Sequence, residues 1–188
     1  MNIFSGLESD YKGTIAVDGF DVRKEWATCR EKLVILSREN QWPQDISAGE
    51  MVSFFKRTVD ISEDDFEELY VKLNMEQIHS RRINELQDME WRNILFSLLR
   101  LKQCKNYIFH EFAANMPLAF SLEFKKNLQR LKESACSILY LSGDVFVAPE
   151  IGDRIGFMKK GKLLLELKAS RMRKMNLKEL YFQFMVDD

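Results

Sequence analysis

The segment EWRNILFSLLRLKQCKNYIFHEFAAN, Glu90–Asn115, decides how the chain is read. Trp91, Ile94, Leu95, Leu98, Leu99, Leu101, Ile108, Phe109 and Phe112 recur mostly at three- and four-residue steps, the period of a helix with one buried face. No glycine or proline interrupts the run before Pro117. The spacing predicts one long helix here. A second is predicted from about Leu118 to Leu141, with Phe120, Phe124, Leu128, Leu131, Ala135, Ile138 and Leu139 facing inward and Gly143 as the C-cap.

The flanking segments read the same way. Val22, Trp26, Cys29, Leu33 and Leu36 form one stripe of a helix that ends by Pro43. Ser47 and Glu50 have capping-box spacing ahead of Met51, Phe54 and Phe55. Ser62 and Asp65 repeat the device before Phe66, Leu69, Tyr70 and Leu73, and acids in that first turn suit the helix dipole. Residues 75–89 read as a more polar helix. GDVFVAPEIGDRIGF, Gly143–Phe157, breaks the pattern with three glycines and Pro149, and both a loop and a short hairpin fit it. Leu163, Leu164 and Leu167 suggest a short helix, and Asn176 to Glu179 caps a last one. The expectation is an all-α fold, an elongated bundle of about seven to eight helices with an irregular loop near residues 143–157. Residues 1–20, with Gly6, Gly13 and Gly19, read as an extended or flexible N-terminal lead to a single all-helical domain, 21–188.

Composition agrees with a globular chain. Of 188 residues, 46% are hydrophobic and 30% charged, too apolar for disorder. The cysteines Cys29, Cys104 and Cys136 form no C-x-x-C or Cys/His cluster, which argues against a disulfide framework or zinc site and for a reducing compartment. The start, MNIFSGLESDYKG, lacks a signal-peptide pattern. No uninterrupted apolar run nears the roughly 20 residues a bilayer requires. A cytoplasmic protein without membrane insertion is expected. Net charge is only −1, yet the charge is segregated. Glu39–Glu90 holds thirteen acids and five bases, and Arg154–Lys178 holds nine bases and one acid. Such polarity steers partners.

Little in the sequence carries chemistry. Gly156-Phe-Met-Lys-Lys-Gly161-Lys162 has the spacing of a phosphate loop, but Leu163 stands where that loop needs Ser or Thr. His79 and His110 lie near no second ligand, and His110 in YIFHEF reads as a hydrogen-bonded helix residue. No enzyme activity, metal or cofactor is expected. The basic stretch is the candidate contact surface. Lys159, Lys160, Lys162, Lys168, Arg171 and Arg173 suit an acidic protein partner. The 159–178 patch also fits nucleic-acid phosphates, although no aromatic among these residues offers a base a stacking surface.

One family resemblance bears on this. ISAGEMVSFFKRTVDISEDDFEELYVKL, Ile46–Leu73, resembles the paired helices ahead of the long central helices of formin homology-two domains. Ile94–Ser142 is similar in length and apolar rhythm to that family's knob region. Gly156-Phe157, Leu163-Leu164, Leu167, Leu177 and Leu180-Tyr181 resemble its Gly-Phe and leucine run. The Gly-Asn-x-x-Asn signature, lasso tryptophan and post helices have no counterpart, so a homodimer stays open. Over residues 45–186 the resemblance implies a non-catalytic actin-binding, cytoskeletal module whose basic residues contact actin. A helical adaptor unrelated to actin and a nucleic-acid-binding protein are the alternatives.

Overall fold

The computed structural model describes residues 2–38, 43–59, 61–143, 148–172 and 175–186. The apolar segment Glu90–Asn115 splits in two: Asp88–Leu101 is helical, and Asn106–His110 is a strand. The break lies at Lys102–Lys105, where Gln103 takes a left-handed φ of 50°.

In chain order, β1 (Ala16–Val17) and β2 (Phe20–Asp21) form a short antiparallel pair, and α1 (Trp26–Lys32) runs straight into β3 (Leu33–Ser37). Then come α2 (Ala48–Thr58), α3 (Glu63–Lys72), α4 (Met75–Ile78), a 3₁₀ turn (Ile83–Glu85) and α5 (Asp88–Leu101). Strand β4 (Asn106–His110), α6 (Leu118–Glu133), β5 (Ser137–Leu141) and α7 (Ala148–Ile151) follow. The chain goes on through β6 (Arg154–Lys159), β7 (Lys162–Lys168), α8 (Ala169–Met172), α9 (Leu177–Tyr181) and a π-helical turn (Phe182–Val186).

The fold is therefore mixed α/β, and the all-α expectation is corrected. Strands β3, β4 and β5 form a parallel sheet in that order, with Leu33, Asn106 and Ser137 level at one end and Ser37, His110 and Leu141 level at the other. Strands β6 and β7 form a hairpin in part of the segment expected to be an irregular loop and in the segment expected to be a leucine helix. For β3 and β4 the physical reason is burial from both sides. A parallel strand covered on two faces reads as a continuous apolar run and loses the alternation that marks a strand.

Both faces of β3 and β4 are covered. Val34, Leu36, Tyr107 and Phe109 pack into the main core with Met51, Val52, Ile94, Leu95, Leu98, Phe120, Phe124 and Leu128 from the helices. Leu33 and Ile108 face the other way, against Val17, Val22 and Cys29, with Phe4, Ile15 and Phe20 of the N-terminal segment beside them. A third, small cluster joins Phe157 and Leu167 of the hairpin to Leu180 and Tyr181.

The N-terminal boxes of α2 and α3 form where their spacing placed them, whereas α6 ends at Glu133 and Gly143, expected as its C-cap, lies beyond β5. Ser47 accepts from the Glu50 amide while the Glu50 carboxylate accepts from the Ser47 amide at 2.7 Å, and Ser62 caps Asp65 at 3.1 Å. The end of α1 is finished differently. Three successive carbonyls of its last turn, those of Arg30, Glu31 and Lys32, accept from Lys102 Nζ, Cys104 Sγ and Asn106 Nδ2 at 2.8, 3.2 and 3.2 Å. Residues of the α5–β4 turn thus satisfy the orphan acceptors of a helix about 70 positions away.

Candidate functional site

In open α/β sheets, ligands bind beyond the carboxyl ends of the strands. Here those ends are Ser37-Arg38 after β3, His110-Glu111 after β4, and Ser142-Gly143 after β5. In-line register brings them together. Ser37 Oγ lies 3.2 Å from His110 Nδ1, and the Arg38 amide donates to the His110 carbonyl at 2.9 Å. The Glu111 amide donates to the Leu141 carbonyl at 2.9 Å. Its Oε1 accepts from the Gly143 amide at 2.7 Å, so the carboxylate bridges the ends of β4 and β5.

Glu111 has a φ of 51°, in the left-handed region that a glutamate adopts at a cost of roughly 1 kcal/mol. Its neighbours fix this conformation. Phe112 is buried among Phe96, Phe109, Phe120 and Phe124. The Phe112 carbonyl accepts from the guanidinium of Arg92, which is 4% exposed and pairs with Asp88 at 3.0 Å. Burial pushes the Tyr107 phenol of β4 up to about 12, the mark of a dry strand interior. The chain thus holds one half-buried carboxylate, oriented by an amide of the next strand, above a rigid aromatic floor.

A nucleotide-hydrolysing site of the P-loop kind also needs a phosphate cradle and Mg²⁺. The one Gly-x₄-Gly-Lys in the chain forms no cradle. Lys160 and Gly161 have φ of 50° and 76°, the two-residue turn of a hairpin between β6 and β7. Nor do the described residues fit a resident Mg²⁺. Among the described residues there is no group of three or more Asp, Glu, His or Cys able to hold a metal, and Glu111 is the only carboxylate at the three strand ends. Mg²⁺ demands several oxygen ligands in octahedral array.

The expected basic site is only partly assembled. Lys159, Lys160 and Lys162 gather at the hairpin tip, with Lys160 and Lys162 exposed and Lys159 half-buried. Lys168 sits at the far end of the seven-residue β7, about 20 Å away. There it pairs in register with Arg154, whose guanidinium binds Glu166 at 2.9 and 2.6 Å. Arg171 is exposed on α8. Arg173 lies outside the described residues. Sequence reading missed Glu111 altogether. The available signal was the run Tyr107-Ile108-Phe109, uninterrupted apolar residues closing on a polar His110-Glu111, which a strand end explains better than a helix.

No protein-family model matches the chain. Two curated relatives, both Fe(3+) ions import ATP-binding proteins FbpC, come from Mannheimia succiniciproducens and Pasteurella multocida. Each is 21% identical over 97% of this chain and 51% of its own length. The chain spans about half the length of these relatives. Among solved structures, an ATP binding subunit of an ABC transporter matches with a TM-score of 0.82 and 16% identity, over 97% of this chain and 80% of its own. CbiO1 from Clostridium perfringens, part of the ABC transporter complex cbiONQ, matches with a TM-score of 0.71 and 18% identity, over 98% and 77%.

These matches overturn the formin resemblance, and with it the actin partner and the cytoskeletal role. They support neither the helical adaptor nor the nucleic-acid alternative. The non-enzymatic expectation, drawn from the lack of a catalytic motif and from that resemblance, is contradicted too, since the proteins matched are ATP-binding ones. No helix among the described residues is long and apolar enough to cross a membrane. The chain has the fold of ABC-transporter ATP-binding subunits.

Proposed function

We propose that this chain forms the body of an ABC-type ATP-binding subunit, working against transmembrane partners at the cytoplasmic side of a membrane. The observation that carries the reading is the superposition of 97% of the chain on such a subunit at a TM-score of 0.82. In this reading Glu111 orients the water that attacks the terminal phosphoryl group of ATP. The water oxygen bonds to phosphorus, the bond to the bridging oxygen breaks, and ADP leaves with the electron pair while Glu111 accepts the proton. The anchored backbone at Phe112 and the Gly143 amide hold that carboxylate in place.

The test is purification of the tagged protein from membranes of its own cells, followed by phosphate-release assays. It is expected to travel with polytopic membrane proteins and to turn over ATP. Glu111→Gln is expected to lower turnover by about 10²-fold or more, the contribution of a positioned base, with ATP binding retained. Fractionation away from membranes, or wild-type turnover by Glu111→Gln, would overturn the proposal.

A further inference from the structure

The amino ends of the strands, opposite the candidate site, hold nucleophiles that the transport reading leaves unused. Of the three free cysteines, two meet there. Cys104 lies in the α5–β4 turn and Cys136 in the α6–β5 turn. Cys136 Sγ is 3.7 Å from the Cys104 carbonyl oxygen, and the amide of the next residue, Ser137, donates to the Lys105 carbonyl at 2.7 Å. Cys136 thus stands beside Lys105, one residue from Cys104. At the spacing of paired strands, about 4.8 Å across and about 3.3 Å along, that offset separates the two Cα atoms by about 6 Å, inside the window a disulfide spans. Both sulfurs also border Tyr107: after burial, Cys136 and then Cys104 push its phenol up.

Their surroundings differ. Cys104 is 8% exposed, and its Sγ donates to the Glu31 carbonyl at 3.2 Å. Cys136 is half-buried, follows Ala135 at a left-handed φ of 56°, and has an exposed residue on either side. One thiol meets solvent and the other lies buried beside it, the arrangement of a reactive cysteine with a resolving one. Cys29 sits in another cluster, donating to the Phe20 carbonyl, and takes no part.

We infer that Cys104 and Cys136 form an oxidation site, joined by a reversible disulfide when hydrogen peroxide reaches Cys136. The Cys136 sulfur attacks one peroxide oxygen and the O–O bond breaks, leaving a sulfenic acid. The other oxygen departs with the electron pair, takes the thiol proton and leaves as water. The Cys104 sulfur then attacks the Cys136 sulfur, the S–O bond breaks, and the hydroxide takes the Cys104 proton as a second water. Two thiols are oxidised and one peroxide is reduced. The bonded Cys104 sulfur has no S–H left to donate, so the Glu31 carbonyl loses its partner and α1 loses one of the three donors that finish it. The inference is independent of the transport reading, since Ser37, His110 and Leu141 end the strands at the opposite side of the sheet.

The test treats the reduced protein with hydrogen peroxide, blocks remaining thiols with N-ethylmaleimide and maps the products by mass spectrometry. The expected result is a Cys104–Cys136 linkage within one chain, two thiols lost and both recovered in dithiothreitol, with Cys29 still reduced. In Cys104→Ser the sulfenic acid meets no resolving thiol, so its capture by dimedone at Cys136 is expected to rise about tenfold or more over wild type. In Cys136→Ser, Cys104 is expected to stay reduced. Hydrogen exchange in α1 is expected to quicken by about threefold or more in the linked form, for the hydrogen bond lost, and to stay unchanged in peroxide-treated Cys104→Ser, whose hydroxyl still donates. Both thiols left free, linkage between two chains through Cys136, equal dimedone capture in wild type and Cys104→Ser, or unchanged α1 exchange in the linked form overturns the inference.

Discussion

Arg92 holds the backbone beside Glu111 from beneath, spending a buried guanidinium on the Phe112 carbonyl and the half-exposed Asp88. Arg92→Met keeps most of the apolar volume but leaves that carbonyl without its donor. The expected loss is about 1–3 kcal/mol, read as a lower urea midpoint with unchanged slope. Gly49 presents the opposite problem, with no room to spare. A Cβ there would collide with the His79 ring, and His79 cannot swing aside freely because Tyr70 Oη holds its Nδ1 at 2.9 Å. Gly49→Ala is expected to cost about 1–3 kcal/mol by overpacking in the same assay. Tyr70→Phe, by releasing the ring, should recover part of that loss in the double variant.

The box at the start of α2 ties stability to pH. The Ser47 amide, and then the Ser47 hydroxyl, hold the Glu50 carboxyl below its ordinary value of 4.5. A depressed folded value means the contribution is fully present above the ordinary value and is lost as pH falls through the depressed one. Wild type should therefore outlast Glu50→Gln in urea at neutral pH, and the two midpoints should converge in acid. A gap that persisted in acid would show that the carboxylate charge is not its source. Elements like α2 and α3 were legible in the sequence because their caps and apolar stripe sit within a few consecutive residues. The sheet was not. Val22–Leu36, Glu90–Asn115 and Leu118–Leu141 each run a helix into a strand, α1 into β3, α5 into β4 and α6 into β5, and the first two of these strands are buried on both faces. The connections number only zero to four residues and hold neither glycine nor proline, so the helical period runs on through the junction. Glu111 stayed hidden for the same reason, since its role depends on a strand end and on Gly143, 32 positions away.

Among the described residues three apolar clusters of unequal size form, and they should open unequally. The hairpin rests on Phe157 and Leu167 alone as fully buried side chains, whereas β4 contributes Tyr107, Ile108 and Phe109 to the two larger clusters. Hydrogen exchange should therefore protect amides of β4 most strongly and those of β6 and β7 far less. Equal protection would mean that the hairpin is locked to the rest by contacts beyond its own cluster. The finish of α1 has a different consequence. Lys102, Cys104 and Asn106 each meet one of three consecutive carbonyls, so their spacing is matched, residue for residue, to a helix far away in the chain. The turn between α5 and β4 consequently has a fixed length. One residue added or removed there would shift β4 against α1, reverse which of its side chains face the aromatic floor, and carry Glu111 off its mark. Tolerance to insertion, usual in a surface turn, is absent from this one.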